Sequence, residues 1–164
     1  MLLSSLQGLT ERLETFCVSR RTILAETPPR LDLRRTDRAD AKRAENALIV
    51  IVDDDPWARE GMSSFVGSLG YLGATFMSAE EYLDSDLKRR AGCLIVDVHL
   101  CGMSGPDLQS CLLADGYCTP IVFVTAQFEE HVRDRVMQAG ALGYLTKPWD
   151  ECALIAFLEH AVPR

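Results

Sequence analysis

The run Ala47-Leu48-Ile49-Val50-Ile51-Val52 constrains this chain more than any other segment. It is rich in β-branched residues, too short for an ordinary helix and apolar at consecutive positions, so both faces of the element must be buried. That combination predicts a strand inside a parallel sheet covered on both sides. Three aspartates, Asp53-Asp54-Asp55, follow at once, and then Pro56. Asp55 suits a helix cap and Pro56 a first helical turn, with Trp57, Met62, Phe65, Val66 and Leu69 at helical spacing up to Gly70.

The alternation continues to the end of the chain. Leu72–Met77 reads as a weaker strand and Ala79–Leu87 as a helix. Cys93–Val96 is a second apolar strand, closed by Asp97, and Asp107–Ala114 a helix. Ile121–Val124 is a strand ending at Thr125, Glu129–Ala139 a helix, Leu142–Leu145 a strand running into Lys147, and Asp150–Ala161 a closing helix. Five βα units of this length require right-handed crossovers. The expected architecture is a flavodoxin-like, doubly wound (βα)5 three-layer sandwich with a parallel sheet in the order 2-1-3-4-5. Ligands of such folds bind beyond the carboxyl ends of the strands, where Asp53, Asp54, Asp97, Thr125 and Lys147 all fall.

Ahead of this unit, Leu2, Leu3, Leu6, Leu9, Leu13, Phe16 and Cys17 recur at three- and four-residue spacing. They predict a short amphipathic helix through about residue 18 whose leucine face suits a dimer or partner contact. Thr27-Pro28-Pro29 and the polar stretch 30–46 read as a linker, which divides the chain into 1–46 and a domain at 47–164.

Charge and cysteine usage narrow the function classes. The chain has 164 residues, 17 Lys and Arg against 24 Asp and Glu, and a net charge of −7. That sign opposes non-specific binding to nucleic acid, so no direct DNA contact is expected. The six cysteines form no C-x-x-C pair. Cys93 and Cys152 lie in apolar runs where a thiol packs as a small hydrophobe, and a reduced, cytoplasmic setting fits them. No membrane-length apolar run and no signal-like leader is present, so neither insertion nor export is expected.

Carboxylates converging on one rim repel one another, and a hard divalent cation relieves that repulsion. Mg²⁺ suits such a rim because it takes one or two carboxylates, keeps several waters and leaves room for a phosphate oxygen. Lys147 adds a positive charge and Thr125 a hydroxyl, a pairing that suits the oxygens of a transferring phosphoryl group. Asp97 then reads as a carboxylate nucleophile that forms an acyl phosphate. Asp55 is assigned to capping, and His131 and His160, within helices away from the rim, are given no part.

Val52-Asp53-Asp54, Asp97 closing an apolar strand, Val124-Thr125-Ala126 and Lys147-Pro148 resemble the receiver domain of bacterial response regulators. The flanking Met103-Ser104-Gly105 and Gly140-Ala141 before Tyr144-Leu145-Thr146-Lys147-Pro148-Trp149 are similar to FixJ-type receivers. The resemblance covers residues 47–162. It implies that Asp97 accepts phosphate from a histidine kinase or histidine phosphotransfer protein. Asp54 would ligate Mg²⁺ directly and Asp53 through water, with the His99 backbone carbonyl completing the set.

The same resemblance implies that Lys147 binds a phosphoryl oxygen, that Thr125, beside Ala126, turns toward it, and that Tyr144 follows, reshaping the face built by the last two βα units for a downstream protein. It implies a cis Lys147-Pro148 bond. His99 and Gln127, two residues beyond the acceptor and the threonine, sit where the family tunes access of water. Cys101-Gly102 departs from the Pro-acidic pair common in that loop, which puts Cys101 among the residues expected to modulate phosphate lifetime.

The expected activity is self-catalysed transfer and hydrolysis rather than turnover of outside substrates. Only 17 residues follow Lys147, so a stand-alone receiver without an output domain is expected, with a second copy of the chain as one candidate partner. A phosphorylation-independent interaction module on the same fold is the alternative.

Overall fold

The computed structural model describes residues 47–162. The expected N-terminal helix and the linker lie outside the described residues. Five strands, β1 (Leu48–Val52), β2 (Leu72–Phe76), β3 (Ala91–Asp97), β4 (Ile121–Thr125) and β5 (Gly143–Thr146), form one sheet in the order β2-β1-β3-β4-β5. Every pairing is parallel. The helices are α1 (Pro56–Ser68), α2 (Ala79–Asp84), α3 (Gly105–Ala114), α4 (Glu130–Gln138) and α5 (Glu151–Ala161). This is the flavodoxin-like arrangement expected from the alternation of apolar runs.

Period-two alternation splits each central strand between two cores. Val50, Val52, Leu94, Val96 and Phe123 face one side, packed with Tyr82 of α2, Leu108 and Leu112 of α3 and Val136 of α4. Ile49, Ile51, Cys93, Ile95, Val122 and Val124 face the other, with Met62 and Val66 of α1 and Leu154 and Leu158 of α5. Each fully buried Leu or Ile contributes on the order of 2 kcal/mol through removal of its apolar surface from water. The edge strand β2 is mostly exposed, which explains its weaker apolar signature.

Local chemistry sets the boundaries. Asp55 caps α1 by accepting the Trp57 N–H at 2.9 Å. Ser104 caps α3, which starts at Gly105 with Pro106 in its first turn, two residues before the expected start. The second helix stops at Asp84 rather than Leu87, because Ser85 turns extended and its Oγ caps a separate 3-10 turn, Asp86–Arg89, through the Leu87 N–H at 3.3 Å. Strand β3 begins at Ala91, two residues before the apolar run.

Two packing expectations are corrected. Trp57 is 79% exposed and leaves the buried stripe of α1 to Met62 and Val66. Cys152 is exposed, because it lies about 200° around α5 from Leu154, which faces the sheet. Cys93 is buried, as its apolar strand predicts. Among the described residues no helix is long and apolar enough to cross a membrane.

Candidate functional site

Strand register brings the polar residues together. Val52 pairs with Val96, so Asp53 and Asp97 leave adjacent strands side by side, and Asp97 pairs with Val124 while Thr125 pairs with Thr146, the residue before Lys147. Backbone bonds from Val98 N to Val124 O at 3.1 Å and from Lys147 N to Thr125 O at 2.7 Å extend the sheet past its last side chains. The Lys147-Pro148 peptide is cis.

The Lys147 ammonium donates to Asp53 Oδ2 at 2.7 Å and to Asp97 Oδ2 at 2.5 Å. Both carboxylates are buried. Burial pushes the Asp53 carboxyl above its ordinary value even though the Lys147 hydrogen bond and charge pull it down. Burial acts to lower Lys147, but its bonds to Asp53 and Asp97 outweigh that and hold the ammonium above its ordinary value. The two shifts point opposite ways for the pair: Lys147 gains from two carboxylates, whereas for Asp53 burial outweighs what its share of one ammonium returns.

The remaining carboxylate oxygens organise the loops. Asp53 Oδ1 accepts the Asp55 N–H at 2.9 Å and Asp97 Oδ1 the His99 N–H at 2.9 Å. Asp54 is less buried, and its Oδ2 accepts the Cys101 N–H at 3.3 Å. The Cys101 side chain and N–H hold the Asp54 carboxyl below its ordinary value, while Asp54 pushes the exposed Cys101 thiol up.

Carboxylate oxygens on one rim are hard donors that fit a hard divalent ion, and an ionised, partly exposed Asp54 is suited to direct ligation. Among the described residues no three His, Cys, Asp or Glu side chains already close on a metal position. A site completed by waters and a backbone carbonyl needs no such closed cage.

Thr125 is fully buried, and its hydroxyl donates to Gln127 O at 2.9 Å and accepts the Gln127 N–H at 3.2 Å. Ala126 and Gln127 are exposed in the loop beyond it. Tyr144 is half-buried, with its ring edge-on to Phe128 at 5.9 Å. Its hydroxyl is buried beside the Glu129 backbone and Thr125 without a hydrogen bond of good geometry, and burial pushes the phenol up. The rim therefore gathers Asp53, Asp54, Asp97, Thr125 and Lys147, with His99, Cys101 and Gln127 in the loops around it.

Three contributors have no motif in the sequence. Arg59 Nη1 donates to the Asp53 carbonyl at 2.6 Å. Glu129 lies 2.7 Å from His99 Nε2 and 3.6 Å from His131 Nε2, bringing the acceptor loop against the start of α4. Glu80, in the first turn of α2, accepts the Met103 N–H at 2.8 Å. Each is a surface-type residue whose role exists only through tertiary proximity.

Comparison with known proteins identifies the arrangement. Residues 49–159 match the response regulator receiver domain model, and the chain belongs to that family. The response regulator protein TmoT of Ectopseudomonas mendocina is 35% identical over 118 residues, covering 72% of this chain and 54% of the relative. The structure of response regulator StyR superposes with a TM-score of 0.66 at 37% identity, covering 71% of this chain and 59% of that one. Vibrio cholerae chemotaxis protein CheY4 gives a TM-score of 0.62 at 26% identity, covering 70% and 98%. The chain spans about half the length of the curated relatives it matches. These likenesses place it in two-component signalling; receiver domains generally bind Mg²⁺ at their acidic pocket and interact with histidine kinases or phosphotransfer proteins.

Proposed function

We propose that residues 47–164 form a phosphoacceptor domain in which Asp97 receives a phosphoryl group from a histidine kinase or histidine phosphotransfer protein. The observation that carries this reading is the Lys147 ammonium bonded at once to Asp97 and Asp53. A carboxylate held beside a cation is placed to act as a nucleophile, and the cation can pass from its oxygen to an incoming phosphoryl oxygen. In the transfer an Asp97 oxygen bonds to phosphorus as the phosphorus–nitrogen bond of the donor imidazole breaks.

Mg²⁺ would be held by Asp54 and Asp97, by Asp53 through water and by the His99 carbonyl; when bound it neutralises charge on the phosphoryl oxygens. Thr125 would release Gln127 and donate to the phosphoryl group, next to the Ala126 backbone. Tyr144, whose hydroxyl lies beside Thr125, would move with it and alter the α4-β5-α5 face for a downstream protein. Cys101 and Gln127 flank the access route for water and tune hydrolysis. A cytoplasmic setting accords with Cys93 packing as a small apolar side chain inside its strand.

The test locates the adduct. After treatment with acetyl phosphate and Mg²⁺, borohydride reduction converts a phosphorylated aspartate to homoserine, and peptide mass mapping is expected to place it at position 97. Homoserine at 53 or 54 instead would contradict the assignment.

A further inference from the structure

The loop from Val98 to Ser104 carries the His99 carbonyl. Its base is closed by Val98 N to Val124 O and Gly105 N to Val98 O, both at 3.1 Å. Its tip is held by two carboxylates from elsewhere: Asp54 takes the Cys101 N–H at 3.3 Å and Glu80 takes the Met103 N–H at 2.8 Å. Glu80 belongs to α2, an element that gives no residue to the pocket.

The reach of Glu80 depends on Gly102. That residue has φ +87°, the left-handed region that favours glycine, and a Cβ there would stand 2.7 Å from Glu80 Oε1. The Cys101-Gly102 departure from the family pattern thus makes both the turn and the space into which a carboxylate fits. Backbone hydrogen bonds, including the one from Met103, hold the Glu80 carboxyl below its ordinary value, so it is ionised at neutral pH.

The two braces are not equivalent. Asp54 is a proposed Mg²⁺ ligand, and an oxygen shared with a divalent cation is a weaker acceptor for Cys101. Glu80 is not among the proposed Mg²⁺ ligands, and its other hydrogen bonds are to its own backbone and to Ser78. We propose that Glu80 is a positioning residue for the metal site, holding in place the β3–α3 loop, which carries the His99 carbonyl proposed as a ligand, once Asp54 engages the cation. The inference rests on the Mg²⁺ reading above.

Calorimetric Mg²⁺ titration and amide hydrogen exchange of the full chain test it, comparing wild type with Glu80→Ala, Glu80→Gln and Asp54→Asn. Outer residues that orient metal ligands typically change affinity by about tenfold or more. Glu80→Ala is expected to raise the Mg²⁺ Kd about tenfold and to speed exchange at Met103 in the Mg²⁺-loaded state. Glu80→Gln, which keeps an acceptor oxygen, is expected to restore both. Mg²⁺ binding unchanged in Glu80→Ala but lost in Asp54→Asn would overturn the role of Glu80 alone. Binding unchanged in Asp54→Asn would overturn the metal reading with it.

Discussion

The Lys147 Nζ stands 2.5 Å from Asp97 Oδ2 and 2.7 Å from Asp53 Oδ2, so one ammonium is shared between two buried carboxylates. Removing it leaves both with only their backbone donors. Lys147→Met is expected to destabilise the metal-free domain by about 3 kcal/mol, the size of breaking a largely buried pair. It should also enlarge the rise in Tm on adding Mg²⁺, because a divalent ion would relieve more repulsion than in wild type. Thermal unfolding with and without Mg²⁺ measures both; an unchanged Tm would show that the bridge carries no net stabilisation.

Asp53 gives a pH signature. Burial raises its carboxyl in the folded state, so between the ordinary Asp value and that raised value the folded chain binds more protons than the unfolded chain. Its favourable contribution is present at low pH and is lost as pH rises through the folded value. Asp53→Asn removes this dependence. Urea midpoints at about pH 4 and about pH 7 should show the variant gaining on wild type as pH rises, and a constant difference would contradict the assignment.

Thr125 is bonded to Gln127 rather than to the pocket. Thr125→Ser keeps the hydroxyl and is expected to preserve both the phosphoryl adduct and the accompanying change at Tyr144. Thr125→Ala should still form the adduct while the NMR shifts of Tyr144 and Phe128 no longer respond to it. A full response in Thr125→Ala would remove the hydroxyl from the coupling.

Gly105 starts α3 directly against the acceptor strand. A Cβ at this residue would lie 2.3 Å from the Asp97 carbonyl oxygen, a backbone atom that cannot swing aside. Gly105→Ala is therefore expected to cost about 1–3 kcal/mol and to slow adduct formation by displacing Asp97. Denaturant unfolding and the rate of phosphorylation by acetyl phosphate check the two parts.

The central strands were legible because Leu48–Val52, Cys93–Val96 and Ile121–Val124 are short, apolar on both faces and closed by polar residues, and the sheet order followed from five βα units with right-handed crossovers. The same pattern placed Asp53, Asp97, Thr125 and Lys147 at strand ends, and register then brought them within hydrogen-bonding distance or side by side. Periodicity failed where surface and core residues share a type: Trp57 and Cys152 belong to apolar patterns yet face solvent. It also failed at Ser85, where a hydroxyl competing for local backbone bonds ended α2 early. Arg59, Glu80 and Glu129 were invisible because a charged residue on a helix turn looks the same whether it meets water or a loop from another unit.

Phosphoryl transfer to this domain requires Asp97 as the acceptor, and intact mass after acetyl phosphate treatment, with and without Mg²⁺, tests that most directly. Wild type is expected to gain a single phosphoryl group only when Mg²⁺ is present, and folded Asp97→Asn none. An adduct of equal yield in Asp97→Asn, or no adduct in wild type together with no spectral response to beryllofluoride, would contradict it.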